Sequence, residues 1–86
     1  MSVEEQILIC AVRYALGRRS YIVGVVCEYV GVKRTTLSEQ CRNLIICDIK
    51  DELERCHSNG YSLGDLCDER DWVELLGILE SMKGGK

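Results

Sequence analysis

The side chains best suited to chemistry are six cysteines and a single histidine. Cys56, His57 and Cys67 carry the atoms of a zinc site, but an adjacent cysteine–histidine pair lacks the spacing of structural zinc motifs. His57 is not set among serine or acidic side chains in a recognisable nucleophile arrangement. The chain also lacks a phosphate-binding loop and a dinucleotide-binding glycine motif. The sequence therefore predicts no metal, no cofactor and no catalytic activity.

The cysteines indicate reduced thiols packed in the core of an intracellular protein, and not a disulfide framework. They contain no CxxC pair, and most occupy apolar positions of helical patterns, where a reduced thiol packs as a small hydrophobic group. We expect this of all six, namely Cys10, Cys27, Cys41, Cys47, Cys56 and Cys67.

Basic and hydroxyl side chains cluster after a glycine in the middle of the chain. Residues 26–44 resemble a helix-turn-helix motif, with Gly31 at the turn and Leu37 at a buried position of the second helix. Gln40 departs from the pattern, where Val, Ile or Leu is usual. The resemblance implies DNA contacts from Lys33, Arg34, Thr35 and Arg42. A plain linker between helices at 31–36 is the alternative.

Acidic side chains dominate the second half of the chain. Residues 44–86 carry ten acidic and five basic side chains, against four acidic and six basic in residues 1–43, and the total charge is −3. Such a surface could enter a groove built for nucleic acid, although a solvated helix face is the simpler interpretation. The candidate partner-binding residues are Asp51, Glu54, Asp65, Glu69, Asp71 and Glu74.

One acidic residue calls for a structural partner. Asp48 falls within the apolar stripe of the third helical segment, where an unpaired charge is costly. Arg18 and Arg19, at the end of the first segment, are the predicted partners, and an anion site there is the alternative.

Caps and glycines divide the chain into helical segments. The first begins at a capping box, Ser2–Glu5, and ends at Leu16 before Gly17. It is apolar almost all round, which predicts a central, buried helix. The second segment runs from Tyr21 to about Val30, and its β-branched residues also suit a strand.

The third and fourth segments have clearer limits. The third begins at a second capping box, Thr36–Glu39, and continues for about twenty residues, or roughly 30 Å. The fourth follows Asp68 as N-cap and ends at Gly84, which leaves 84–86 as a flexible tail.

Together the segments predict an all-α bundle of about four helices in one domain, residues 1–83. Segments one and two carry more apolar surface than one small monomer can bury, which suggests a homodimer built on one of them. The apolar runs are too short for a membrane span, and no signal peptide opens the chain. A cytoplasmic protein is expected.

Two stretches resemble small proteins of phages and prophages of Gram-positive bacteria: RYALGRRSYIV at 13–23 and GDLCDERDW at 64–72. The resemblance implies a phage protein of the infected host cytoplasm. It also implies inhibition of a host defence protein, such as a CRISPR effector, by non-catalytic protein–protein contact. A small helix-turn-helix regulator is the main alternative, and a structural or assembly protein is a third.

Overall fold

Four α-helices make up most of the described chain. The computed structural model describes residues 1–16, 21–58 and 69–83. Its helices are α1 (Val3–Ala15), α2 (Tyr21–Lys33), α3 (Glu39–Ser58) and α4 (Glu69–Lys83). The predicted all-α bundle is confirmed, and the second segment is helix and not strand. The predicted caps Gly17 and Asp68 and the tail 84–86 lie outside the described residues.

The helices occupy the four corners of a bundle. α1 and α4 each pack against both α2 and α3. Within the described helices, α2 and α3 make no close backbone contact although they follow each other in the chain. They therefore lie on a diagonal, and residues 34–38 cross the end of the bundle between them.

The core is formed by one apolar side of each helix. Its largest fully buried side chains are Trp72, Ile45, Ile49 and Leu79. Burial of each such aliphatic side chain contributes about 1.5 to 3 kcal/mol. These side chains form one core cluster with residues of the other two helices, such as Ile9, Val12 and Val30.

The start of α1 follows the predicted capping box. The Ser2 hydroxyl accepts a hydrogen bond from the Glu5 amide at 3.2 Å, and the Glu5 carboxylate accepts one from the Ser2 amide at 3.3 Å. The same carboxylate also accepts from the Ser38 amide at 2.8 Å. One side chain thus caps two helices, and α1 and α3 begin at the same end of the bundle.

The predicted capping box at Thr36 is wrong. α3 begins at Glu39, and the Ser38 hydroxyl accepts from the Cys41 amide at 3.2 Å as its N-cap. Thr36 instead donates its hydroxyl proton to the Lys33 carbonyl at 2.9 Å, at the end of α2. Thr36 and Ser38 both precede Glu39, so either hydroxyl could serve as the N-cap of α3. Ser38 is the N-cap in the structure, where its amide also donates to the Glu5 carboxylate of α1.

Gly31 does not end α2, which continues to Lys33. Two carbonyls at the end of α2 have hydrogen-bond partners beyond the helix. The Arg34 guanidinium donates to the Gly31 carbonyl, and the Thr36 hydroxyl donates to the Lys33 carbonyl. Because these groups are satisfied, the helix extends three residues past the expected end at Val30.

The expectation that α1 is buried all round is also wrong. Leu8, Ile9, Val12 and Ala15 face the core. The opposite side of the helix is exposed over its whole length, and its apolar members are Val3, Ile7, Cys10 and Tyr14.

Candidate partner-binding groove

The predicted acidic residues lie on two separate sides of the bundle. Asp71 and Glu74 line a groove between α2 and α4. Asp51 lines a different groove, between α1 and α3, and Glu54 is exposed on α3. Because α2 and α3 lie on a diagonal, the structure does not bring the two pairs onto one face. Asp65 and the Glu69 side chain lie outside the described part.

The groove between α2 and α4, which we call the acidic groove, encloses about 260 Å³. Asp71 and Glu74 of α4 line it together with Glu28 of α2. No basic side chain is among its described lining residues. The rest of its surface is small or apolar, from Gly24, Cys27, Gly31, Leu75 and Ile78.

Two glycines keep this groove open. A Cβ atom built on Gly24 or Gly31 would meet no atom within 4 Å. The neighbouring helix α4 therefore leaves free space beside both glycines. Glycine inside a helix lowers stability by about 1 kcal/mol relative to alanine. The two glycines that line the groove therefore lower the stability of α2.

Glu28 also lines the groove, although the sequence pattern did not predict it as a site residue. Gly24, Glu28 and Gly31 follow the spacing i, i+4, i+7 and therefore share one face of α2. Glu28 is also the only charged residue in 20–32. A charge between two glycines on one helical face was the signal available in the sequence.

Four charged side chains of the α1–α3 groove pair with one another. The Arg13 guanidinium donates to the Asp48 carboxylate at 2.8 Å, and Arg55 forms an ion pair with Glu52. The hydrogen bond with Asp48, with its charge, raises the pKa of Arg13. The predicted need for a partner at Asp48 is confirmed, and Arg13 is the partner that the structure describes.

The predicted pairing of Asp48 with Arg18 or Arg19 lies outside the described residues. Arg13 reaches Asp48 because α1 and α3 run parallel from the joint cap, so positions about ten residues beyond each start meet. This register depends on how the two helices pack, which the sequence pattern does not contain.

The basic residues of the helix-turn-helix interpretation serve local structure. Arg42 donates to the Leu37 carbonyl at 2.6 Å, and Arg34 caps α2. The Lys33 ammonium lies 5.8 Å from the centre of the Tyr29 ring. Thr35 is exposed in the connection. In a helix-turn-helix the two helices pack directly against each other, whereas α2 and α3 lie on a diagonal.

A second surface combines the exposed apolar sides of α1 and α2. The Tyr29 hydroxyl donates to the Glu4 carboxylate at 2.9 Å, which joins the two helices at this edge and raises the pKa of Tyr29. Both helices also carry exposed apolar side chains. We call them the apolar face: Val3, Ile7, Cys10, Tyr14, Val25, Tyr29 and Val32.

The cysteines divide between core and surface. Cys41 is fully buried, and burial raises the pKa of its thiol. Cys27 packs against the core. Cys10 and Cys47 are exposed, so the core role expected for every cysteine is wrong for these two. The side chain of Cys56 and the whole of Cys67 lie outside the described residues, so the rejected zinc set cannot be located in the structure.

In the described ranges, no group of three cysteine, histidine or acidic side chains is placed to hold a metal ion. None of the helices described is both long and apolar enough to cross a membrane. No protein-family model, curated protein or solved structure gives a significant match to the chain.

Proposed function

We propose that this protein acts by non-catalytic binding, and that the acidic groove receives a basic segment of a protein partner. The observation that carries the proposal is the set of three carboxylates, from Glu28, Asp71 and Glu74, around an open glycine floor. Carboxylates accept hydrogen bonds and attract lysine and arginine side chains.

The dimensions of the acidic groove suit a short stretch of polypeptide. Residues 24–31 of α2 and 71–78 of α4 each extend about 10 Å along their helix axes, or two helical turns. Lysine and arginine can lay their methylene stems on apolar surface while their charged ends reach acidic groups. The glycines with Leu75 and Ile78 provide that apolar surface.

The resemblance to phage proteins supplies the class of partner. Defence effectors such as CRISPR effectors hold nucleic acid in positively charged channels. An acidic protein that occupies such basic groups prevents nucleic acid from binding there. The proposed partner is therefore a nucleic-acid-binding defence protein in the cytoplasm of the infected bacterium, and the proposed effect is inhibition.

The test is capture of the partner with paired charge reversals. Tagged protein is incubated with lysate of a defence-bearing Gram-positive host, in parallel with and without nuclease treatment. The variant Glu28→Lys/Glu74→Lys should lose the captured partner by at least about tenfold, since a hydrogen bond to a charged group typically contributes about 1.5 to 3 kcal/mol. The matched control, Asp51→Lys/Glu54→Lys, changes the net charge equally on the other side of the bundle and should retain it.

Three results would overturn the proposal. Equal loss with both variants would show a general charge effect, and loss with the control alone would place the contact at Asp51 and Glu54. A catch that vanishes with nuclease, and with Lys33→Ala/Arg34→Ala, would instead establish nucleic-acid binding. Inhibition is read separately, as restored plaque formation by a defence-sensitive phage when the wild-type protein is expressed.

A further inference from the structure

We infer that a small pocket at one end of the bundle binds a free amino acid with an aliphatic side chain. The inference is independent of the acidic groove, with which the pocket shares no lining residue. The pocket encloses about 230 Å³ where the start of α1 meets the end of α2 and the connection that follows it. We call it the end pocket, and its lining includes Glu4, Glu5, Leu8, Tyr29, Lys33 and Leu37.

Two opposite charges of the end pocket have no ionic partner in the described part of the chain. The Lys33 ammonium forms no ion pair there and lies 5.8 Å from the centre of the Tyr29 ring. The Glu4 carboxylate accepts a hydrogen bond from the uncharged Tyr29 hydroxyl at 2.9 Å. Glu5 differs, because its carboxylate already accepts from the amides at the starts of α1 and α3. The pocket therefore offers one cation and one anion to a ligand.

These charges favour a ligand that carries both signs. A ligand that covers the pocket removes water from Lys33 and Glu4, which is costly unless each charge gains a partner. A simple anion would pair with Lys33 but oppose Glu4, and a simple cation would do the reverse. An amino acid supplies a carboxylate for Lys33 and an ammonium group for Glu4 in one molecule.

Tyr29 positions both charges. Its hydroxyl holds the Glu4 carboxylate of α1. Lys33 follows Tyr29 by four residues and so shares its face of α2. The flexible four-carbon stem of lysine lets its ammonium follow a ligand carboxylate. The anion of the pocket is thus held in place, while the cation can adjust to the length of the ligand.

The remaining lining and the volume define the side chain of the ligand. Leu8 and Leu37 line the pocket and retain only 5% and 8% exposure, so an aliphatic group placed on them completes their burial. At roughly 30 Å³ for each water molecule, the pocket has room for about eight waters. Leucine and isoleucine have about as many non-hydrogen atoms. Pockets for drug-sized ligands enclose about 300 Å³ or more, so the volume favours a smaller molecule.

The test is titration of isotope-labelled protein with L-leucine, followed by NMR. Saturable shifts should be confined to the amides of the end pocket, such as those of Leu8 and Leu37, with a dissociation constant below about 1 mM. Two analogues of similar shape are the matched probes, since leucinamide lacks the carboxylate and isocaproate lacks the ammonium group. Each should bind at least about tenfold more weakly, because it leaves one charge of the pocket unpaired.

Two substitutions assign the charges. Lys33→Met removes the ammonium but keeps an aliphatic stem, and it should abolish the preference for leucine over leucinamide. Glu4→Gln keeps an oxygen that can accept from Tyr29, and it should abolish the preference over isocaproate. Lys50→Met and Glu54→Gln make the same charge changes on α3, away from the pocket, and should bind leucine as the wild type does.

Several results would overturn the inference. They are an absence of saturation with leucine in the millimolar range, shifts centred outside the end pocket, equal affinity for leucine and either analogue, and a control variant that loses as much affinity as its partner. The comparison of analogues uses the wild-type chain, so it decides the matter even where a variant fails to fold.

Discussion

The Glu5 carboxylate accepts a hydrogen bond from the Ser38 amide at 2.8 Å and thereby connects the first turns of α1 and α3. The same carboxylate completes the capping box of α1 with Ser2. The helix dipoles of both helices favour a negative charge at this point. A single ionised side chain therefore holds the common end of two parallel helices.

Acid should weaken this joint cap. The hydrogen bond from the Ser38 backbone is the main reason that the pKa of Glu5 lies below its ordinary value of 4.5. The stabilisation is complete above that value and is lost as the pH falls through the lowered folded-state pKa. Urea unfolding at pH 7 and pH 3 should show a smaller loss for Glu5→Gln than for the wild type. Glu54→Gln, on an exposed part of α3, should keep the wild-type pH dependence, and an unchanged dependence in Glu5→Gln would contradict the assignment.

Ser38→Ala should lower the free energy of unfolding by about 1 kcal/mol, which is typical for removal of a helix N-cap. Its hydroxyl accepts from the Cys41 amide at the start of α3. Thr36→Ala is the matched comparison, because it removes a hydroxyl that contacts only the end of α2 among the bonds described. A larger loss of unfolding free energy for Thr36→Ala than for Ser38→Ala in chemical denaturation would show that Thr36 is the N-cap, as the sequence suggests.

Arg13→Ala should lower the melting temperature, because it leaves the Asp48 carboxylate without the partner that the structure describes. Asp48 is largely buried, with a side chain only 18% exposed, and Arg13 is its described partner. A double-mutant cycle with Asp48→Asn isolates the pair energy, because the second substitution should add little once Arg13 is gone. Coupling of Asp48 to Arg18 but not to Arg13 in this cycle would support the sequence-based pairing instead.

Gly31→Ala should stabilise the protein by about 0.5 to 1 kcal/mol and weaken partner capture. The added methyl meets no atom within 4 Å, so helix propensity determines the change in stability, yet the methyl enters the acidic groove. Gly77→Ala on α4 is the control, since its Cβ also meets nothing and Gly77 does not line the groove. Thermal unfolding should show similar gains for both, whereas only Gly31→Ala should reduce capture. If Gly31→Ala captures the partner as well as the wild type does, the partner does not bind in the acidic groove.

Local features of the fold were predictable because they depend on neighbouring residues. The Ser2–Glu5 capping box and the apolar stripe of α3 follow from side chains three or four positions apart. The choice between Thr36 and Ser38, and the partner of Asp48, depend on contacts with α1, more than thirty residues away. No periodicity within one helix records such contacts.

The candidate site divides in the same way. Asp71 and Glu74 were recognised from charge, but their separation from Asp51 and Glu54 depends on the diagonal placement of α2 and α3. Burial of α1 was overestimated for a related reason. An apolar stripe such as that of Ile7 looks the same in sequence whether its own core or a second molecule covers it.

The crossing connection at residues 34–38 also bears on how the chain folds. It is the covalent tie between an α1–α2 half with a positive balance of charge and an α3–α4 half with a negative one. A tie this short keeps the halves at millimolar effective concentration, and their opposite charges favour encounter. Docking of the two halves should consequently be fast and should slow as salt is added, with Arg13 and Asp48 among the charges that meet.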